Sequence, residues 1–169
     1  MTKQPQTVIV TGASSGLGLH TAQQLNKAGF RVIAGARSFH EAGQGSDGIY
    51  RHALDVTSEA SIADFMAYAD TVSPRVDALV QCAGMLILGS CEETSAEEYR
   101  RVMDTDFLGM VRMNHEVLPR MRKAGGGRIV MFSSINGLLG IPFQSAYTAA
   151  KHAVEGYAEC LQMECRRHH

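Results

Sequence analysis

The sequence predicts a doubly wound α/β fold built on a parallel sheet, and three observations carry that prediction. Short β-branched runs alternate with longer stretches whose apolar residues recur at helical spacing. A glycine-rich turn occupies the first strand–helix junction. Nothing divides the chain: 169 residues, 45% hydrophobic and 20% charged, suit one domain over 1–169 with a core of useful size.

The first strand is QTVIVTG (6–12), a β-branched run closed by glycine, and GLHTAQQLNKAG (18–29) is a helix with glycine at the C′ position. FRVIAGA (30–36) and IYRHALDV (49–56) are the second and third strands; between them the polar, glycine-rich EAGQGSDG (41–48) is expected as a surface loop. Ile62, Phe65, Met66 and Ala69 give SEASIADFMAYADTV (58–72) a helical period. VDALVQCAG (76–84) is the fourth strand, and 95–127 holds one or two helices in which Pro119 predicts a kink or local break. RIVMFSS (128–134) is the fifth strand and 145–167 the last helix. Five strands joined by helices imply a parallel sheet covered on both faces. Met103, Met110, Met113 and Met121 are expected in helix packing rather than at a cofactor.

Composition narrows the functional classes. A net charge of −1 leaves no basic footprint for nucleic acid and no polybasic membrane patch. The longest apolar stretch, MLILG (85–89), is far too short to span a bilayer. Cys82, Cys91, Cys160 and Cys165 form no C-x-x-C pair, and MTKQPQTVIVTG is no apolar leader, so free thiols in a cytoplasmic protein are expected. The seven histidines lack ligand spacing and no metal is expected; the terminal His168 and His169 are given no role.

The turn TGASSGLG (11–18) offers Gly12, Ser14, Ser15, Gly16, Leu17 and Gly18 where a parallel sheet presents a helix N-terminus to anions. Gly12 suits the tight turn, Gly16 lets backbone approach a pyrophosphate, and Gly18 lets helix pack on strand. This is the layout of a Rossmann-type dinucleotide site. An acidic residue ending the second strand would select NAD(H), but here Ala36 is followed by Arg37, which can neutralise a 2′-phosphate. NADP(H) is therefore favoured, with NAD(H) as the alternative.

Tyr147 and Lys151 stand four residues apart at the start of the last helix, and so share one face. A phenol titrates near ~10 and becomes a useful acid–base group near neutral pH only when a cation stabilises its phenolate. Lys151 can supply that cation.

TGASSGLG, LDV with Asp55, CAG after the fourth strand, SS after the fifth and YTAAK together resemble the short-chain dehydrogenase/reductase family along the whole chain, and YTAAKHAVEGYAECLQME looks most like its hydroxysteroid and retinoid branches. The resemblance implies a hydride-transferring enzyme acting on a secondary alcohol or ketone, with Asp55 and Val56 near the adenine and Ala83 and Gly84 along the cofactor. It also implies Ser134, Tyr147 and Lys151 at the reacting carbon. The family interval of thirteen residues from serine to tyrosine selects Ser134 and leaves Ser133 a structural role. Pairing into a homodimer or homotetramer through helices near 99–123 and 145–167 is implied as well.

Three departures stand out. Where the family carries the asparagine of its fourth catalytic position, DTDFLG has Asp106, which can support a similar water bond or pair with Lys151. Cys82 replaces a frequent asparagine and is expected to be buried and inert. The chain stops at His169, where family members continue into further strands, a nicotinamide-contacting loop and a lid, so the domain is expected to be C-terminally incomplete with a bare edge beside its fifth strand. Leu138, Leu139, Ile141 and Phe143 either line a site for a steroid-like or other hydrophobic substrate or pack their own loop. A 3-oxoacyl-type reductase and a non-catalytic dinucleotide-binding or regulatory protein are the competing functions.

Overall fold

Five consecutive buried residues, Thr7–Thr11, form β1 at the centre of the sheet. It pairs in parallel with β2 (Arg31–Ala36) on one side and β5 (Ala78–Gln81) on the other. In the computed structural model, which describes residues 5–165, the sheet continues outward to β4 (Tyr50–Ala53) beside β2 and β6 (Arg128–Met131) beside β5, both parallel. The predicted end of the last helix at 166–167 and the terminal His168 and His169 lie outside the described residues.

A sixth strand is added to the five expected. Gly43–Gln44, β3, pairs antiparallel with β4 and completes the order β3-β4-β2-β1-β5-β6. It forms inside the stretch expected as plain loop because Asp47 organises a reversal there. Its carboxylate accepts the Ile49 N–H at 3.2 Å and grips Arg51 at 2.6 Å, while Gly48 adopts φ +87°. Two residues are too few to show a strand period in sequence.

Period-two alternation divides the strands between two cores. Ile9, Ile33 and Leu79 face α2 (Glu59–Val72) and α4 (Gly109–Lys123), which contribute Phe65, Met66, Met113, Val117 and Met121. Val8, Val10, Val32, Ala34 and Val80 face α1 (Gly16–Lys27) through Ala22 and Leu25. Met110, Met113 and Met121 are buried, as expected of packing residues, and Met103 packs on a smaller cluster with Val102, Ala146 and Ala150.

Local signals set the helix starts. Ser58 caps α2 by accepting the Ser61 N–H, and Ser95 and Glu98 form a capping box on α3 (Ala96–Met103). From α3 the chain runs through a π-helical turn, Asp104–Leu108, directly into α4. Of the kink or local break expected at Pro119, the break does not occur: the helix is continuous through it. Pro119 and residue 115, whose carbonyl loses its helical donor, both lie on the exposed face, where water can replace the missing bond. The last helix, α5 (Ser145–Cys165), packs on α3 and on the π-helical turn.

β6 is the outer strand on this side of the sheet among the described residues, with Val130 47% exposed. Strands β4, β5 and β6 each stop three residues short of the end of the run that predicted them. The leftover residues, Leu54–Val56, Cys82–Gly84 and Phe132–Ser134, become loops at one edge of the sheet.

Phe65 is fully buried in the larger core. Phe65→Ala should lower the unfolding free energy by about 3–5 kcal/mol in urea titration, as expected for a lost buried aromatic ring and the cavity it leaves.

Candidate active site

The chain moves from β1 outward through β2 to β4 and then crosses to β5 on the other side, so strand order reverses between β1 and β5. Open parallel sheets bind ligands in the crevice beyond the strand ends at such a point. Here the crevice is a groove of about 450 Å³ between the turn after β1, the end of β2 and the loops after β4 and β5. It collects Gly12, Ser14, Ser15, Gly16, Leu17, Gly18, Arg37, Asp55, Val56, Ala83 and Gly84, which are all the cofactor residues predicted outside α5.

Sterics explain the glycines. Gly12 has φ +66°, and a Cβ there would lie 2.7 Å from the Ala83 backbone nitrogen, so glycine lets the loops after β1 and β5 touch. A Cβ at Gly18 would strike the Gly12 carbonyl, so the start of the helix packs on the loop after β1 at this position. Gly16, at φ +52°, faces open space. No side-chain cap is made by Ser15, and the first turn of α1 carries no acid. Its N–H groups are thus available to a pyrophosphate, and the residues present fit a dinucleotide.

At the end of the groove beside β2, Arg37 is exposed. Asp55 accepts the Thr57 N–H at 2.9 Å and its hydroxyl at 2.7 Å. Burial pushes the Asp55 carboxyl up, but the Thr57 bonds, Arg37 and Arg112 outweigh it and hold the group below its ordinary range.

A second cleft, about 280 Å³, shares Leu17, Cys82 and Gly84 with the groove and ends against α5. Tyr147, Lys151 and Asp106 meet there. The Lys151 ammonium lies 5.2 Å from the centre of the Tyr147 ring and donates to the Phe132 carbonyl at 3.0 Å. Tyr99, on α3, bonds Ser145 at 2.6 Å and ties down the first turn of α5.

Ser134 directly follows Phe132 and Ser133, which line this cleft, and is not itself part of the lining. Its hydroxyl donates to Asn136 Oδ1 at 3.1 Å and accepts the Asn136 N–H at 3.3 Å. Buried Asn136 donates in turn to Gln144 and Thr148, each at 3.0 Å, linking the serine turn to α5. Sequence reasoning missed Asn136, Phe132 and Met85. The last two act through backbone groups, which leave no side-chain signature, and Asn136 belongs to a short turn, Ile135–Gly137, with no motif of its own.

Two absences hold for the described residues: no group of three or more His, Cys, Asp or Glu could hold a metal, and no helix is long and apolar enough to cross a membrane.

A family model described as short chain dehydrogenase matches residues 6–169. The chain is 40% identical over 166 residues to a 3-ketodihydrosphingosine reductase of Bacteroides thetaiotaomicron, covering 98% of this chain and 61% of that protein. It is 37% identical over 175 residues to human retinol dehydrogenase 8, covering 97% and 55%. A crystal structure of an actinorhodin polyketide ketoreductase variant with NADPH superimposes with a TM-score of 0.88 and 31% identity, covering 99% of this chain and 68% of that one. The chain thus spans little more than half the length of the curated relatives it matches. It belongs to the short-chain dehydrogenase family, with the family's Rossmann-type fold for a nicotinamide cofactor.

Half-buried Cys82 lies between the two clefts, and burial pushes its thiol up to about 11 despite the opposing pull of Lys151. A thiol reagent at pH 8 should therefore modify exposed Cys91 and Cys160 first and Cys82 at least about tenfold more slowly, as read by mass spectrometry of timed samples.

Proposed function

We propose that this protein is an NADP(H)-dependent oxidoreductase acting on a secondary alcohol or ketone within a hydrophobic substrate. The observation that carries the reading is the continuity of the glycine-lined groove with a cleft where a phenol and an ammonium share one helical face. When bound, the nicotinamide would supply or accept the hydride.

The chain's own residues do the rest. Tyr147 passes the proton to or from the substrate oxygen, and the Lys151 ammonium stabilises the negative charge a phenol acquires as its proton leaves. Ser134 holds the substrate oxygen, and the Asn136 network fixes the turn from which it acts. Gly12, Ser14, Ser15, Gly16, Leu17 and Gly18 seat the pyrophosphate, while Asp55 and Val56 flank the adenine and Ala83 and Gly84 run along the cofactor. Arg37 pairs with a 2′-phosphate.

A hydrophobic substrate is supported by exposed Leu86, Leu88, Leu138, Leu139 and Phe143 on the loops after β5 and β6. The Gly89 N–H bonds the Phe143 carbonyl at 3.0 Å and joins these loops. Phe143 is 64% exposed at φ +65°, a costly backbone region for a bulky residue. The names of the relatives, a ketodihydrosphingosine reductase and a retinol dehydrogenase, agree with such a substrate.

Assayed with NADPH and a panel of hydrophobic ketones, Tyr147→Phe should lose about 10²–10⁴ in turnover while cofactor affinity stays near wild type. Near-wild-type turnover in this variant would overturn the acid–base assignment. NADPH binding without turnover of any ketone by the wild type would instead support a non-catalytic role.

Arg37→Asp should reduce NADP(H) affinity relative to NAD(H) by about tenfold to a hundredfold, since a charge-assisted bond is replaced by repulsion. Calorimetric titration with each cofactor measures the ratio. An unchanged ratio would remove Arg37 from the phosphate site.

A further inference from the structure

Asp106 is buried completely, on the π-helical turn that joins α3 to α4. Its Oδ1 accepts the Met85 N–H at 2.7 Å. Oδ2 makes no hydrogen bond and lies 3.3 Å from the Lys151 ammonium, itself only 4% exposed. Backbone closes the other side: a Cβ at Gly84 would lie 3.0 Å from Oδ2.

We propose that Asp106 is a titrating counter-ion of Lys151, a positioning residue through which proton uptake regulates the Tyr147–Lys151 site. The regulatory consequence rests on the oxidoreductase reading above; the counter-ion itself does not. Ionised, Asp106 holds the ammonium against the Phe132 carbonyl and offsets part of the field that the ammonium casts on Tyr147. Protonated, it leaves the positive charge uncompensated beside the phenol. A neutral amide at this position could keep the Met85 bond but could not make this change.

The surroundings isolate the pair. Among the described residues lining the cleft, Asp106 supplies the only carboxyl group and Lys151 the only amino group. The loop after β5 contributes the Cys82 thiol, kept protonated by burial, while α5 contributes Tyr147 and the loop after β6 the Ser133 hydroxyl. The first turn of α1 presents only Leu17. Asp104, on the same π-helical turn, is bound by Arg112 at 2.7 Å. Burial pushes the Asp106 carboxyl above its ordinary range, against the opposing pull of Lys151 and the Met85 N–H.

A carboxyl raised in the folded state favours folding while it is protonated, and that contribution is lost as pH rises through its folded ionisation. Urea unfolding of the cofactor-free protein should therefore show wild type losing stability relative to Asp106→Asn as pH climbs from the ordinary carboxyl range through the raised one. In aspartate-selective carbon-13 carboxyl spectra of the wild type, one resonance should titrate above the ordinary value of about 3.9. Lys151→Met should move that midpoint upward by about one pH unit or more, because an opposite charge has been removed.

These spectra decide the matter even if Asp106→Asn fails to fold. Absence of a raised aspartate resonance, the same midpoint in Lys151→Met, or a pH-independent stability difference would each overturn the counter-ion. With NADPH and a turned-over ketone, Asp106→Asn should also lose one ionisation from the pH profile of kcat/KM; an unchanged profile would overturn the regulatory role. A protein that turns over no ketone, yet shows the coupled titration, refutes the oxidoreductase reading and retains the counter-ion.

Discussion

Everything in this site depends on how closely the chain passes itself at the C-terminal ends of β1 and β5. The Ala83 N–H donates to Thr11 Oγ1 at 3.3 Å, and Gly12 meets the Ala83 backbone where no side chain would fit. That contact closes the floor of the groove at the reversal in strand order. Because β1, β2, β4, β5 and β6 are all parallel, their following loops emerge on the same edge. Residues far apart in sequence, such as Arg37, Asp55 and Gly84, therefore line one groove.

The electrostatics follow from burial at the far end of that groove. Lys151 and Asp106 have almost no contact with water, so each must find its stabilisation inside the protein. The lysine has two partners, the Phe132 carbonyl and the carboxylate. Asp106 has only one firm hydrogen bond, at Oδ1. Removing either charge leaves the other buried and uncompensated, which makes the pair sensitive to its protonation state. Asp55, at the other end of the groove, shows the opposite balance: bonds from Thr57 and the nearby arginines outweigh a smaller loss of water.

Rigidity is distributed to match. The Tyr147 end of α5 is held by the Tyr99–Ser145 bond and by Asn136 reaching Thr148. Across the cleft, the apolar loops after β5 and β6 are joined at Gly89 and Gln144 but leave Leu88 and Phe143 exposed. On the proposed function, a fixed Tyr147 end beside an apolar rim would orient one oxygen while accepting varied hydrocarbon.

Alternating strand and helix patterns, the glycine turn, and the four-residue spacing of Tyr147 and Lys151 were legible in the sequence because each rests on local geometry: side-chain period, glycine's positive φ, and the pitch of a helix. Burial of Met110, Met113 and Met121 was legible for the same reason. Strand β3 was not, since two residues carry no period and its hairpin depends on the grip of Asp47 on Arg51. Passage of α4 through Pro119 depended on which face met solvent. For Asp106 the sequence showed a carboxylate with two open roles, a water bond or a pairing with Lys151. Only the packing of the π-helical turn against α5 and Gly84 brought it within 3.3 Å of the ammonium, because distance and loss of water between remote residues are properties of the folded chain.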